Sequence, residues 1–316
     1  MIKKNLFLVT VLVFFFSCIG SLTWSAQAPL RFLKPKYEDK KPAIVLVAFG
    51  TSTKAQVTFD HIDAEIKKEF PDYEIRWAFT SKIIRDKMNK IYAKKNINKK
   101  LHSLQEVLAT LEAEGFRKAV VQSLHIFPGG EYVHMQHLAQ IPGIRVSIGE
   151  PLLATWEDVL KLLEEISQDF PNKDEGCAVL AGHGTPNTYY APSTAVYLAL
   201  DRLLQTHYPN VFLGSVEGVP DRKDALDKAK AYPGKKVRMI PFMLVAGDHI
   251  MNDIMGNEPD DEGTPSWAME LRAAGKEVDC PTITIDGKTY LKGLGFFPAT
   301  TEIITEHIHQ ALKDLK

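Results

Sequence analysis

The sequence has 316 residues, of which 45% are hydrophobic and 24% are charged, so the chain can bury a full globular core and is long enough for two. Its formal net charge of −1 at pH 7 gives no reason to expect nucleic acid as a partner. Three cysteines are too few for a disulfide-stapled scaffold, and none stands in a CxxC zinc or haem pattern.

The first 28 residues have the three-part layout of a secretory signal peptide. Lys3 and Lys4 precede an apolar run over 6–16, and small residues follow up to Ala28. Removing this segment takes the formal charge from −1 to −3, because it contains two lysines and no acids. The apolar run is shorter than the roughly 20 residues of a membrane span. We therefore expect a cleaved signal, a periplasmic protein and no stable span after cleavage, with an uncleaved anchor as the alternative.

Regular alternation of strands and helices begins after residues 29–42, which are rich in Lys and Pro and typical of an extended lead-in. The run "AIVLVAFG" (43–50) is apolar throughout and bounded by turn residues, which is typical of a strand buried on both faces of a parallel sheet. The same patterns predict strands at 73–80, 118–127 and 144–148, and helices at 55–70, 81–95, 103–115 and 131–140. We expect an N-terminal α/β domain over 43–154.

The chain then repeats this organisation. A predicted helix at 155–170 is followed by predicted strands at 176–184, 210–218, 235–247 and 277–285. The segment "IVLVAFGTS" aligns with "AVLAGHGTP", and "VVQSLHIFPGGEYVHM" with "VRMIPFMLVAGDHIMN". We predict an α/β fold of two similar Rossmann-like domains with parallel sheets, the second over 155–316, whose terminal helix is a candidate to pack back on the first. Chance similarity between buried strands is the alternative to duplication.

Two cysteines remain after removal of the signal segment, Cys177 and Cys280. They predict either one bridge or two buried thiols, and the sequence favours the thiols.

Polar residues follow three strands of the second half, where ligands bind in parallel α/β sheets. The first strand ends in His183, the second in Glu217, and the third leads to His249. Imidazole and carboxylate groups bind Co, Fe, Ni or Zn, and imidazole also moves protons near neutral pH. Gly182 and Gly184 indicate a close approach of the backbone to a ligand beside His183. The alternatives are a histidine that merely fills a turn and, for Glu217, a solvated turn acid.

The first half has fewer polar side chains at the corresponding positions. It has Phe49 where the second half has His183, and Glu131 where the second half has His249. Glu131 is either functional or a first-turn acid favoured by the helix dipole. His125, near the end of a predicted strand, is either a ligand or a satisfied core histidine. The absence of GxGxxG after the first strand, of GxxxxGK[ST] and of GxSxG excludes dinucleotide, P-loop and α/β-hydrolase sites.

Several of these stretches together resemble the anaerobic sirohydrochlorin cobaltochelatases of the CbiK type, within the class II tetrapyrrole chelatases, in a periplasmic form. The match runs from about 43 to 312 and rests on "LVAFGTS", "VQSLHIFPGGEY", "GHGTPN", "VEGVP" and "PFMLVAGDHIMNDIMG". The resemblance implies a bilobal fold that holds a planar tetrapyrrole in the cleft between two similar domains.

The resemblance also implies roles for the polar residues. His183 corresponds to a general base and metal ligand, His249 to a second metal ligand, Glu217 to an acidic ligand and Glu131 to a further acid of the cleft. The implied reaction inserts Co2+, with Fe2+ as the alternative, into sirohydrochlorin and releases two protons, in cobalamin or sirohaem-type biosynthesis.

Two further expectations concern the substrate cleft. Sirohydrochlorin is rich in carboxylates, so Arg85 and Lys82 are candidates to bind it, with an ordinary solvated helix face as the alternative. Pro186, Asn187 and Thr188 follow the GHG turn, where some relatives have extra histidines.

Export is unusual for a biosynthetic enzyme. It raises the alternative of a periplasmic carrier of tetrapyrrole, haem or metal that keeps the chelatase fold. The periplasmic subgroup of this family is associated with haem and oligomers, so His125 is the candidate ligand for haem b, and a homo-oligomer stays open.

Overall fold

A four-stranded parallel sheet organises the first half of the chain. In this computed structural model, which describes residues 40–185 and 191–316, the strands are β1 Ala43–Ala48, β2 Ile75–Phe79, β3 Lys118–Ser123 and β4 Arg145–Gly149, in the order β2-β1-β3-β4. The helices are α1 Val57–Glu69, α2 Lys82–Lys94, α3 Leu104–Ala113 and α4 Gly130–Leu138. Every residue of β1 is buried because its alternating side chains enter two different core clusters, one on each face of the sheet.

The second half has a sheet of the same design. It contains α5 Trp156–Ile166, β5 Gly176–Gly184, α6 Ala191–His207, β6 Val211–Glu217, α7 Arg222–Ala231, β7 Lys236–Phe242, α8 Trp267–Ala273 and β8 Glu277–Asp279. Its strand order, β6-β5-β7-β8, repeats the order of the first sheet, and all its pairings are parallel. The predicted fold class, two similar α/β domains with parallel sheets, is confirmed.

The predicted strand over 277–285 is wrong in one respect. It breaks after β8, and residues Thr282–Ile285 form β9, which pairs antiparallel with β10, Lys288–Leu291. Pro281 has no N–H with which to continue the ladder. Asp286 and Gly287 both have positive φ, at 49° and 73°, and so form the two-residue turn that closes a hairpin.

The final helix, α9 Pro298–Asp314, lies against the first sheet. It contacts β3, β4, α1 and α5, and it buries Ile303, Ile304 and Ile308 completely. The cluster that these isoleucines enter also contains side chains of both sheets, so the two halves share one apolar core. Residues 40–316 form one compact unit, and the domain boundary at 154 and 155 stays a prediction.

The cysteines Cys177 and Cys280 are both free thiols. Burial raises the pKa of the Cys177 thiol to about 11 and that of Cys280 to about 12. Both are therefore protonated and unreactive at neutral pH.

The predicted signal peptide over 1–28 and most of the lead-in, up to residue 39, lie outside the described residues, as do Pro186, Asn187 and Thr188. Among the residues that are described, none of the helices has the length and apolar character required to span a bilayer.

Candidate metal centre

The carboxyl ends of the strands of the second sheet bring two of the predicted residues together. β5 ends in His183 and Gly184, and the chain that follows β7 reaches His249 after a short loop. The ring centroids of His183 and His249 are 4.9 Å apart, with the ring planes nearly perpendicular at 84°. His183 is exposed and His249 is half-buried, so both imidazoles are accessible from the same edge of the sheet.

This separation suits two imidazoles that bind one ion. With a metal to nitrogen distance of about 2.1 Å, each ring centroid would lie about 3.2 Å from the ion, and centroids 4.9 Å apart then correspond to an angle of about 100° at the metal. Such an angle is close to both tetrahedral and octahedral coordination. The separation of the two rings is thus compatible with one divalent cation bound between them.

The glycines beside His183 are required by the packing of the protein itself. Gly184 has φ +79°, and a Cβ there would lie 1.8 Å from the Glu217 carbonyl oxygen, while a Cβ at Gly182 would lie 2.9 Å from the Tyr197 ring. The glycines admit neighbouring protein atoms, and they do so because β5 is packed closely between β6 and α6 at this end. Approach of a ligand beside these glycines stays a prediction.

The same constraint acts from the β6 side. Gly218 has φ +84°, and a Cβ there would lie 2.3 Å from the Thr185 carbonyl oxygen. Gly184 pairs in register with Glu217, so the ends of β5 and β6 are in close backbone contact. This contact fixes the turn that carries His183.

His249 stands at the start of a short π-helix, Ile250–Ile254. The wider turn is closed by the Met255 N–H, which donates to the Ile250 carbonyl at 2.9 Å, and the buried Ile250 and Ile254 anchor it to the core. Insertions of this kind are rare and occur frequently at functional sites.

One consequence of this turn is a carboxylate partner for His249. The Nδ1 atom of His249 lies 2.5 Å from Oδ2 of Asp253, and because a carboxylate can only accept, Nδ1–H is the donor. Nε2 of His249 is then the nitrogen whose lone pair is free for a metal.

Glu217 is at the same edge but does not complete the pair. Among the described residues no ion pair joins its carboxylate to either imidazole, and no group of three or more His, Cys, Asp or Glu side chains is close enough to hold an ion. In the alternation of β6, Glu217 falls on the face of Leu213 and Ser215, and Phe212 and Val216 lie on the opposite face. Its role as a third ligand stays a prediction.

The predicted cleft residues of the first half have local partners. Glu131 lies exposed in the first turn of α4. The guanidinium of Arg85 donates to the carbonyls of Phe79 and Thr80, the latter at 2.8 Å, so it caps the carboxyl end of β2. Lys82 forms an ion pair with Asp86 at 2.6 Å. Their substrate contacts stay predictions.

His125 lies just beyond β3 in an enclosed position. Its Nδ1 is 2.9 Å from the Ser123 hydroxyl, and its Nε2 is buried with no hydrogen-bond partner. Burial lowers the pKa of His125 to about 4, so the ring is neutral at physiological pH. An axial ligand must present Nε2 to the iron, and here that atom is covered, so this conformation does not fit a haem.

Sequence reasoning missed two residues of the site, Asp253 and Tyr197. The spacing of four residues in "HIMND" was a usable signal, because side chains four apart meet on a helical turn. Tyr197 carried no such signal, since its contact with Gly184 joins a helix to a strand end.

Comparison with known proteins gives one family for the whole described region. A family model described as cobalt chelatase (CbiK) matches residues 42–313. Sirohydrochlorin cobaltochelatase from Salmonella typhimurium is 30% identical over 278 residues, which cover 86% of this chain and 97% of that protein. Sirohydrochlorin cobaltochelatase CbiKC from Nitratidesulfovibrio vulgaris is 28% identical over 285 residues, 87% of this chain and 92% of that protein.

Solved structures share the fold at lower identity. SirB from Bacillus subtilis with Fe3+ aligns with a TM-score of 0.55 at 14% identity, over 87% of this chain and 97% of that one. The sirohydrochlorin chelatase SirB from Bacillus subtilis subspecies spizizenii in complex with cobalt gives 0.53 at 16%, over 87% and 96%. These likenesses establish the bilobal chelatase fold.

The first prediction concerns the Asp253 carboxylate. Replacing it by the nearly isosteric amide, Asp253→Asn, should weaken Co2+ binding by about 10-fold to 100-fold, because His249 loses the partner that orients its ring. Isothermal titration of the protein with Co2+ measures this. Asp248→Asn is the matched control, since it removes the same charge from an exposed neighbour whose carboxylate accepts from the Asn252 amide rather than from His249. Equal losses in the two variants would contradict the orienting role.

The second prediction concerns pH and His125. Its pKa is about 4 when folded and about 6.5 when unfolded, so the unfolded chain binds the proton more readily. Stability present above pH 6.5 should therefore be lost as the pH falls towards 4, by about 3 kcal/mol. In urea unfolding across this range, the free energy of unfolding should depend less steeply on pH for His125→Gln than for the wild type. The half-exposed His309, changed to Gln, is the control, and parallel curves for His125→Gln and the wild type would refute the assignment.

Proposed function

The chain belongs to the cobalt chelatase (CbiK) family, and on that basis we propose that it inserts Co2+ into sirohydrochlorin with the release of two protons, as a step of cobalamin biosynthesis. The observation that carries the proposal is the pair of imidazoles of His183 and His249, 4.9 Å apart at the carboxyl ends of the second sheet. Two relatives aligned over most of the chain are named for this activity.

The reaction exchanges two pyrrole protons for one divalent ion. Each N–H bond of the macrocycle breaks with its electron pair left on nitrogen, and both nitrogens then bind Co2+, so charge is conserved. A base is required for each proton, and a neutral imidazole is suited to this near neutral pH. Exposed His183 can accept a proton and pass it to solvent before it accepts the next.

The two histidines have different surroundings, which supports a division of labour. The Nδ1–H of His249 is held by Asp253, which leaves Nε2 as a ligand and strengthens its basicity towards metal. The Nδ1 of His183 is 3.3 Å from its neighbour's carbonyl, Gly184 O, and within the described part of the chain no carboxylate bonds this ring. We assign metal retention chiefly to His249, and proton removal together with delivery of the ion to His183.

The remaining cleft residues complete the proposal. Glu217 would turn towards the ion and balance its charge, and Glu131 would face the macrocycle from the first half. Arg85 would bind a substrate carboxylate with the donors that Phe79 and Thr80 leave free. Co2+ is the substrate metal, and Fe2+ is the alternative because imidazole and carboxylate ligands accept both.

The N-terminal signal pattern supports a location in the periplasm, and with it the second candidate function, a carrier of tetrapyrrole or metal with the same fold. Haem b bound by His125 would belong to that function, and it would require Nε2 to be uncovered. A homo-oligomer stays part of the same proposal.

The third prediction tests the reaction. Purified protein should accelerate Co2+ insertion into metal-free sirohydrochlorin, followed by the change in absorbance of the macrocycle. His183→Ala and His249→Ala should each lower kcat/KM by about 100-fold or more, because each removes a group that acts on the ion or the proton. His309→Ala, far from the site on α9, is the control and should retain the wild-type rate.

Three outcomes separate the alternatives. A wild-type rate no faster than the protein-free rate would reject the enzyme. Tight binding of tetrapyrrole or haem without turnover would favour the carrier. Full activity in both histidine variants would show that the metal centre lies elsewhere.

A further inference from the structure

Tyr197 lies directly beneath the turn that carries His183. It stands on α6, where its side chain is only 5% exposed. The Gly184 N–H donates to its hydroxyl oxygen over 3.2 Å. Gly184 immediately follows His183, so this hydrogen bond is one peptide unit from the imidazole.

The Gly184 amide needs a partner that the sheet does not supply. The pairing of β5 with β7 ends at Gly182 and Phe242, two residues before Gly184. On that side the Tyr197 hydroxyl takes the place of the missing strand. The Gly184 amide is partly buried, and a donor shielded from water is costly to leave unpaired, which gives this one hydroxyl an effect on the conformation of the turn.

The tyrosine ring is held in place by the packing around it. Gly182 has no Cβ, and a Cβ there would lie 2.9 Å from Cε1 and 3.4 Å from the hydroxyl oxygen of Tyr197. On another side the ring meets Phe127 edge to face, with centroids 4.9 Å apart. Phe127 belongs to the first half of the chain and also contacts Phe242, so the position of Tyr197 depends on the packing of both halves.

Tyr197 is not equipped to take part in proton transfer itself. Burial raises its pKa to about 12, so the phenol stays neutral across the physiological range. It acts through the backbone, and Phe at this position would preserve the ring packing while it removes the hydrogen bond.

We propose that Tyr197 is a positioning residue for His183: its hydroxyl fixes the Gly184 amide and thereby sets the direction in which the imidazole meets the metal ion. The effect of Tyr197 on the rate of metal insertion rests on the proposed function. The structural part of the inference concerns only the pose of His183, so the two can be tested apart.

The test compares Tyr197→Phe with Tyr232→Phe in the full chain. The hydroxyl of Tyr232 likewise bonds a backbone group, the Lys173 carbonyl at 2.8 Å, but at the opposite end of the same sheet. Each variant thus loses one hydrogen bond between a tyrosine and the backbone. Gly182→Ala is a second probe, because its new methyl group would push the Tyr197 ring away from Gly184.

Three readouts are needed: Co2+ affinity by isothermal titration, the side-chain 15N and 1H signals of His183 by NMR, and kcat/KM for insertion. Tyr197→Phe and Gly182→Ala should each lower Co2+ affinity by roughly 10-fold and shift the His183 signals. Tyr232→Phe should change neither, and its unfolding midpoint in urea gives the effect on stability of losing a tyrosine hydrogen bond far from the metal centre.

The outcomes separate the two proposals. Unchanged Co2+ affinity and unchanged His183 signals in Tyr197→Phe would overturn the positioning role, as would an equal loss in Tyr232→Phe. If the wild type binds Co2+ but inserts none, the proposed function fails and the titration still decides the role of Tyr197. If the wild type binds no Co2+, the His183 signals alone decide it.

Discussion

The close backbone contact between the ends of β5 and β6 is the constraint on which the metal centre depends. At Gly184 and Gly218 the two chains approach so closely that a Cβ would lie 1.8 Å or 2.3 Å from a carbonyl oxygen. Both glycines also have positive φ, which other residues adopt only at a cost. These requirements fix the backbone at the end of β5, where the imidazole of His183 is exposed.

Near this turn, the second half brings together two histidines that are held in place by different hydrogen bonds. A tyrosine and a strand neighbour hold the backbone beside His183, whereas a carboxylate holds the ring of His249 directly. A ring fixed through its backbone keeps some rotational freedom, and a ring fixed by Asp253 does not. That difference matches a reaction in which one group moves protons and the other retains the ion. The first half contributes packing, through the contact of Phe127 with Tyr197.

Much of this could be predicted from the sequence because buried parallel strands have a strong signature. The strand at 176–184 was predicted with the bounds it has in the structure, and the convergence of His183 and His249 follows from parallel topology alone. The π-helix was not predictable, since a one-residue widening of a turn leaves no periodic signal. The contact of Asp253 did have a signal, its spacing of four residues from His249. Glu217 shows the complementary limit. Its place at a strand end fixes the edge of the sheet on which it lies, but not the direction of its carboxylate, so its role as a ligand stays a prediction.

The central claim is that one divalent ion binds between His183 and His249, and anomalous diffraction at the cobalt edge from crystals soaked in Co2+ tests it most directly. The account predicts an anomalous peak about 2.1 Å from one nitrogen of each imidazole, with Nε2 as the nitrogen of His249. A peak that contacts only one of the two histidines, or that lies elsewhere in the molecule, would contradict it.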